Sequence, residues 1–256
     1  MPKETLEARW RVVETKLAKA DPEFRADFDD TLEMSWVFHD AALEGSVYNF
    51  SELRTAMDPS IAIVPDSTMQ PVCEEIRRHR DAIRWVRDFA SKKRQTISVD
   101  VLKRIYLILH PEEGDLKSLK YRRDIPQHRL YFHEYAPPDK IATRLKQIFE
   151  WLDDPSQQKG RTALKVAARV HYDIVRCFPF QTNSGKVARL FLNLLLLRNG
   201  YPPAIVHHTE RQRYYESLKG SPNAMSSIIA DSMENGLQSA EKRLEEYETR
   251  TRAFVT

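Results

Sequence analysis

The stretch HYDIVRCFPFQTNSGKVARLFLNLLLLRNGYPP, residues 171–203, decides the fold of this chain. Its pattern predicts a helix that ends near Cys177, a short loop over 178–184 and a second helix over 185–199. The second helix is apolar on nearly every side, which is typical of a helix at the buried centre of a domain. Gly200 and the prolines after it end this helix. We therefore predict a mainly α-helical domain built around residues 185–199.

The composition supports a helical protein and excludes several functional classes. Only 7 of the 256 residues are glycine, fewer than a turn-rich sandwich or barrel needs. The net charge is only +3, so no nucleic-acid partner is expected. The cysteines Cys73 and Cys177 form no CxxC pair, which favours a reducing compartment. Because the N-terminus lacks an apolar segment and no apolar run approaches about 20 residues, we expect a cytoplasmic protein without a membrane partner.

Helical periodicity recurs along most of the chain. We expect N-terminal helices over 1–57, a core over 58–220, and a C-terminal helix over 221–256 that closes the same domain. The residue pattern differs at 120–136, KYRRDIPQHRLYFHEYA, where aromatic and β-branched residues surround a proline. This pattern predicts a short β-hairpin. Helices are predicted over 5–19, 22–43, 71–91, 98–110, 137–151, 161–177, 209–219 and 224–250.

The loop before the central helix has the features of an anion site. Asn183 and Ser184 can cap the helix, whose first N–H groups and dipole attract negative charge. Lys186 and Arg189 lie three residues apart and share one helix face. Phosphate is the natural ligand for such a site. From spacing alone, a well-capped core helix with two solvated cations fits as well.

This loop resembles the signature of Fic domains, which reads HPFx(D/E)GNGRxxR. The resemblance extends over roughly residues 30–220 and includes His171, the apolar helix after the signature and the segment from Arg211 to Leu218. It implies a Fic-like helical domain with a small β-hairpin flap. The signature residues retained here are Pro179, Phe180, Gly185 and Arg189.

The resemblance also identifies three departures. Phe178 stands where the family has its catalytic histidine, Thr182 where it has its acidic metal ligand, and Lys186 where it has its first arginine. In the family, the histidine takes a proton from the target hydroxyl that attacks ATP, and the acid holds Mg²⁺. Phenylalanine cannot accept a proton and threonine offers no charge, so AMP transfer (AMPylation) is predicted absent and no metal ligand is predicted. The predicted phosphate- or nucleotide-binding residues are Asn183, Ser184, Gly185, Lys186 and Arg189.

Two further segments match functional parts of the family. Many Fic proteins carry an inhibitory helix with the motif (S/T)xxxE(G/N), and the predicted second helix ends with Asp40, Glu44 and Gly45 in this register. The resemblance implies that Glu44 pairs with Arg189 and obstructs the anion site; an ordinary helix-end residue is the alternative. The flap implies docking of a protein partner by strand addition, with Tyr121, Arg122 and Tyr131 as candidates; a hairpin packed on the core is the alternative.

The sequence therefore predicts a degenerate Fic protein with a regulatory or adaptor role. Its ligand is a nucleotide or phosphorylated small molecule, with ATP or ADP as candidates and with weak or no dependence on Mg²⁺. A Fic enzyme with altered hydrolase or transferase chemistry is one alternative. A protein-interaction scaffold with an empty pocket is another, and the oligomeric state stays open.

Overall fold

The described residues of the computed structural model, 4–58, 60–65, 67–126 and 134–255, are mainly helical. In chain order the helices are α1 (Leu6–Lys19), α2 (Pro22–Glu44), α3 (Phe50–Met57), α4 (Met69–Ser91), α5 (Val99–Leu109), α6 (Ile141–Asp153), α7 (Pro155–Gln158), α8 (Ala163–Cys177), α9 (Ser184–Arg198), α10 (Arg211–Ser217) and α11 (Pro222–Val255). Short 3₁₀ turns lie at Pro111–Glu113, Pro138–Lys140 and His208–Glu210.

The predicted central helix is α9, and residues 184–196 within it are all buried. It packs against α4, α5 and α8, so each of its sides meets another helix. Its one buried amide, Asn193, is satisfied: it donates to the carbonyl oxygens of Arg189 and Ala204 and accepts from the Ala204 N–H at 2.7 Å. These bonds return the chain after Gly200 to the core, which explains why a polar residue is tolerated there.

Helix α2 begins and ends at signals that the sequence contains. Asp21 caps its first turn, and Gly45 adopts the left-handed conformation after its last residue, with φ of 96°. Ion pairs fix α2 against α4: Arg80 contacts Glu33 at 2.7 Å and Arg87 contacts Asp29 at 2.6 Å. This docking directs the C-terminal half of α2 towards the start of α9.

Helix α3 was not predicted from the sequence. It has only 8 residues, about two turns, which is too short for a periodic pattern to identify a helix. The available signal was its capping box: the Asn49 side chain accepts from the Glu52 N–H at 2.9 Å, and the Glu52 carboxylate accepts from the Asn49 N–H at 2.8 Å.

Helix α11 packs against α8 and α1 at the outer side of the molecule. A second, smaller cluster of buried apolar side chains lies between α1, α2 and α11, among them Trp10, Val13, Phe28 and Leu237. In the part of the chain that the structure describes, no helix is both long enough and apolar enough to cross a membrane.

The prediction of a β-hairpin flap at 120–136 is wrong for the described residues. Residues 120–126 and 134–136 contain no strand, and 127–133 lie outside the described residues. Two backbone N–H groups of the described segments bond to other parts of the chain. The Arg122 N–H donates to Pro179 O at 3.0 Å, and the Ala136 N–H donates to Arg176 O at 3.2 Å. Segments 120–126 and 134–136 are therefore bonded to the end of α8 and to the loop after it. The described fold is helical and has no sheet.

The buried Arg122 side chain connects segments 120–126 and 134–136. Its guanidinium donates to the carbonyl oxygens of Phe178 at 2.6 Å and Asp124 at 2.7 Å, and also to that of Ala136. The buried Arg122 side chain therefore stabilises the fold, whereas the sequence suggested that it docks a partner.

We expect Arg122→Ala to lower the free energy of unfolding by about 3 kcal/mol, because it leaves several buried carbonyl groups without a donor. Arg122→Lys should recover only part of this loss, since an ammonium cannot reproduce the planar fork. Urea unfolding followed by circular dichroism measures the change. The exposed neighbour Arg123→Ala is the matched control, and equal stability of the two alanine variants would contradict the assignment.

Candidate functional site

The loop between α8 and α9 is held in an unusual backbone conformation. Phe178 and Asn183, at its two ends, both have positive φ values, 47° and 52°. Such values are uncommon for residues other than glycine and persist only where the surroundings impose them. Ser184 helps to impose them, because its hydroxyl accepts from the Phe180 N–H at 2.8 Å and donates to Phe180 O at 3.0 Å. The Ser184 hydroxyl is therefore used within the loop and is fully buried.

The two positions that the resemblance assigns to lost catalytic groups have different environments. Phe178 is 4% exposed, and its ring packs edge-on against Tyr135 with centroids 5.0 Å apart. Thr182 is exposed, and its hydroxyl lies 3.2 Å from Nε2 of His110. Phe178 thus contributes to the core, whereas Thr182 faces a titratable neighbour.

Lys186 has a carboxylate partner. Its ammonium lies 3.2 Å from Oε1 of Glu75, on α4, and the lysine side chain is only 2% exposed. Burial raises the pKa of Glu75, but Lys186, the Tyr48 hydroxyl and His79 together outweigh burial, and the net pKa is lowered. The alternative of two solvated cations is therefore inconsistent with the structure at Lys186.

Arg189 has two carboxylate partners, and both come from α2. Asp40 pairs with its Nε, and Glu44 Oε1 lies 2.7 Å from its Nη2. The remaining nitrogen, Nη1, is buried with no hydrogen-bond partner among the described residues. The carboxylates raise the pKa of Arg189 well above its usual range although burial opposes them. The Glu44–Arg189 pair implied by the resemblance is thus present, and Asp40 adds a second contact.

His79 extends this ion pair into the core. Its Nε2 lies 3.0 Å from Oδ2 of Asp40, and both side chains are buried. Burial raises the pKa of Asp40, but Arg189 and His79 outweigh it and lower the pKa to about 2. Burial is also the main reason why the pKa of His79 is lowered. Asp40 therefore stays ionised between a cation and a largely uncharged imidazole.

Gly185 permits Glu44 to reach the start of α9. A Cβ atom at Gly185 would overlap Glu44 Oε1 and would lie 3.2 Å from Arg189 Nη1. The Glu44 carboxylate therefore lies against the first turn of α9, where the helix dipole favours negative charge. The chain itself supplies an anion at the predicted anion site.

The site as a whole contains more acids than cations. Lys186 and Arg189 face three carboxylates, those of Asp40, Glu44 and Glu75. An anionic ligand must therefore displace a carboxylate or use the donor that is left over, Arg189 Nη1. The arrangement can bind phosphate only in competition with the protein's own acids.

The comparisons with known proteins agree with this loop and helix arrangement. A sequence profile of the Fic/DOC family matches residues 96–196. Protein adenylyltransferase fic-1 of Caenorhabditis briggsae is 27% identical over 186 residues, which cover 72% of this chain and 35% of the relative. Protein adenylyltransferase Fic of Nematostella vectensis is 25% identical, with 71% of this chain and 42% of the relative covered. The chain thus spans less than half the length of these curated relatives.

Solved structures show the same fold. A Fic domain containing signaling protein from Bacteroides thetaiotaomicron superposes with a TM-score of 0.70 at 17% identity, covering 91% of this chain and 98% of that one. Fic-1 from Caenorhabditis elegans also gives a TM-score of 0.70, at 23% identity, covering 92% and 71% of the two chains. Residues 96–196 therefore match a Fic domain, and the fold of the chain is that of the Fic domain structures. Residues 184–196 of the central helix lie within the matched segment.

Sequence reasoning missed His110, which lies beside the loop between α8 and α9 of the Fic domain. His110, at the end of α5, lies with its Nε2 2.9 Å from Asn183 Nδ2, while its Nδ1 lies 2.8 Å from Oε1 of Glu112. In this arrangement Nδ1–H donates to Glu112, and Nε2 accepts from the loop. The spacing of His110 and Glu112 was the available signal, but nothing in the sequence places them beside Asn183.

The predicted docking residues of the Fic domain are only partly described. Tyr121 is half-buried and Arg122 is buried, whereas Tyr131 lies outside the described residues. The Tyr121 ring packs 6.2 Å from that of Phe180 and beneath the Lys103 ammonium at 5.6 Å. Docking of a protein partner at this segment stays a prediction.

We expect Gly185→Ala to destabilise the Fic domain by about 1–3 kcal/mol, because the added methyl group displaces the Glu44 carboxylate from Arg189. In a Glu44→Ala background the same substitution should cost close to nothing. Thermal or urea unfolding of the four proteins gives the coupling free energy.

A matched control for this cycle is Gly236→Ala in α11, where a Cβ atom finds its nearest neighbour at 3.9 Å. It should stabilise the protein slightly in both backgrounds, since alanine favours a helix over glycine. Equal costs of Gly185→Ala with and without Glu44 would show that the carboxylate does not lie against Gly185.

Proposed function

We propose that this Fic domain binds a nucleotide or another phosphate-bearing ligand at the start of α9 and does not transfer AMP. The observation that carries the proposal is Arg189 Nη1, a buried donor without a hydrogen-bond partner among the described residues. Leaving such a donor unsatisfied typically costs about 1–3 kcal/mol, so an acceptor from outside the chain would be favoured there. A phosphate oxygen beside the first turn of α9 meets that need.

The absence of transfer rests on the residues around the loop. Phe178 has no atom that accepts a proton, and a missing general base typically lowers a rate by about 10²–10⁴-fold. Thr182 offers Mg²⁺ one neutral oxygen, so ATP would bind largely without a protein-held metal. The curated relatives are named protein adenylyltransferases; for this chain we propose that ligand binding is retained and that AMP transfer is lost.

The regulatory part of the proposal follows from the two acids on α2. Glu44 is 16% exposed and holds one nitrogen of Arg189, whereas Asp40 is 4% exposed and holds another. A ligand can displace Glu44 while Asp40 keeps the guanidinium in place. We therefore assign Glu44 as the exchangeable inhibitor and Asp40 as the fixed support, in a protein that acts in the cytoplasm as a regulator or adaptor.

Calorimetric titration with ATP, ADP and AMP tests the proposal. We expect Glu44→Gly to bind at least one of them about tenfold or more tightly than the unaltered chain does, because it removes the competing carboxylate. Lys186→Ala in that background should reverse the gain, and omission of Mg²⁺ should leave the affinity nearly unchanged.

Lys146→Ala is the control, since Lys146 is 75% exposed on α6. Its affinity should equal that of the parent protein. Absence of binding in folded Glu44→Gly would contradict the binding proposal. Incorporation of label from α-labelled ATP into protein by Glu44→Gly would contradict the proposed loss of AMP transfer.

One observation favours a second candidate function, hydrolysis of a phosphate ester or anhydride. His110 presents a basic nitrogen to the loop and is oriented by Glu112, an arrangement that suits a general base. Such a base would take a proton from water while the water oxygen bonds to phosphorus and the leaving oxygen departs. The same nitrogen lies 2.9 Å from Asn183 Nδ2 and 3.2 Å from the Thr182 hydroxyl, so the water would have to replace the contact with Asn183.

Product analysis by phosphorus NMR distinguishes the second candidate from simple binding. If it holds, Glu44→Gly slowly converts ATP or ADP to products, and His110→Ala lowers the rate about 10²-fold or more. Glu112→Gln should lower it less, and the exposed neighbour Glu113→Gln should leave it unchanged. Nucleotide that stays intact, or turnover that survives His110→Ala, would exclude His110 as the base.

A further inference from the structure

Three imidazole rings meet away from the anion site, where α2 passes the segment that follows α9. His39 lies on α2, and His207 and His208 lie just before α10. One ligating nitrogen from each lies within 4.8 Å of the others. The ring centroid of His39 lies 4.0 Å from that of His207 and 5.2 Å from that of His208.

The closest nitrogens have the spacing of two ligands on one ion. His39 Nδ1 lies 3.1 Å from His208 Nδ1. Zinc–nitrogen bonds of about 2.0–2.1 Å at a tetrahedral angle place two nitrogens roughly 3.3 Å apart. The third nitrogen lies within 4.8 Å of the other two, so reaching that spacing needs a shift of at most about 1.5 Å by an exposed side chain. His207 and His208 are both exposed.

We propose that His39, His207 and His208 form a binding site for a divalent transition metal ion of the zinc class. Imidazole nitrogen is a preferred ligand of such ions, whereas Mg²⁺ and Ca²⁺ prefer oxygen. His207 also has a supporting contact, because its Nδ1 lies 2.7 Å from the Thr209 hydroxyl. The same nitrogen accepts from the Thr209 N–H at 3.4 Å, so two contacts fix the ring. A metal ion at Nε2 would replace the ring proton there, and a proton on Nδ1 would then be donated to the Thr209 hydroxyl.

The surroundings leave room for a fourth ligand. His39 and His207 line the edge of a cavity of about 670 Å³ between α2, α10 and α11. Three protein ligands with an open position are the pattern of zinc sites that also hold water or an exogenous ligand. The site therefore suits an ion with three imidazoles and one water molecule.

The position of the site gives the ion a structural consequence. His39 lies on the helix that carries Glu44, and the last turn of that helix is held by Arg211, which donates to Leu43 O at 2.8 Å, and by the Tyr215 hydroxyl, which donates to it at 3.0 Å. A metal ion would add a coordinate link between the same two segments. Binding to the native state alone raises its stability by mass action.

Titration of the untagged protein with Zn²⁺, and with Co²⁺ as a spectroscopic probe, tests the site. We expect one ion per chain with micromolar or tighter affinity, a visible Co²⁺ spectrum of a nitrogen-ligated tetrahedral ion, and a higher melting temperature. The exposed pair His207→Ala/His208→Ala should lose at least about a hundredfold in affinity and the Co²⁺ spectrum, and His39→Ala should lose at least about tenfold.

His110→Ala is the matched control, because His110 lies outside the cluster and next to a carboxylate, and its metal affinity should equal that of the unaltered chain. Circular dichroism verifies that each variant is folded. Absence of stoichiometric binding to the unaltered chain would overturn the proposal. Binding that is retained in folded His207→Ala/His208→Ala, or that is lost in His110→Ala, would place the ion elsewhere and would also overturn it.

Discussion

The ion pair between Arg189 and Asp40 is the constraint on which the rest of the site depends. A guanidinium that is 3% exposed needs a partner, because burying an unpaired charge removes its hydration without compensation. Its partner comes from α2, and His79 of α4 supports that partner from behind. Removing one member of such a pair typically costs about 3–5 kcal/mol. The positions of α2, α4 and α9 are therefore coupled through one buried charge.

The three nitrogens of the Arg189 guanidinium have different surroundings. Nε is committed to Asp40, Nη2 to the more exposed Glu44, and Nη1 has no partner among the described residues. A ligand that replaces Glu44 gains two donors without breaking the Asp40 contact. Under the proposed function, this division would let a ligand displace Glu44 while the helix that carries it stays docked. It also means that removing Glu44 frees only part of Arg189, since Asp40 keeps a negative charge beside it.

Local signals in the sequence were sufficient to predict most of the helices. The apolar pattern of 185–199 and the glycine after Glu44 predicted α9 and the end of α2, because periodicity and capping act within a few residues. The hairpin failed because the aromatic residues of 120–136 reflect packing: Tyr121 and Tyr135 lie against Phe180 and Phe178. Glu75, His79 and His110 approach the loop from distant parts of the chain, and no single-sequence pattern encodes such contacts.

The proposed loss of transfer chemistry does not conflict with the retained fold, because different atoms serve the two purposes. The loop is held by the Ser184 hydroxyl on Phe180 and by Arg122 on the Phe178 carbonyl, and neither contact requires a histidine at 178. A phenylalanine there buries its ring against Tyr135 and adds apolar contact. A histidine at the same place would need a polar partner or water in that contact. Where no general base is needed at position 178, packing therefore favours phenylalanine. The charges on Lys186 and Arg189 still require anions, which come either from the chain or from a ligand.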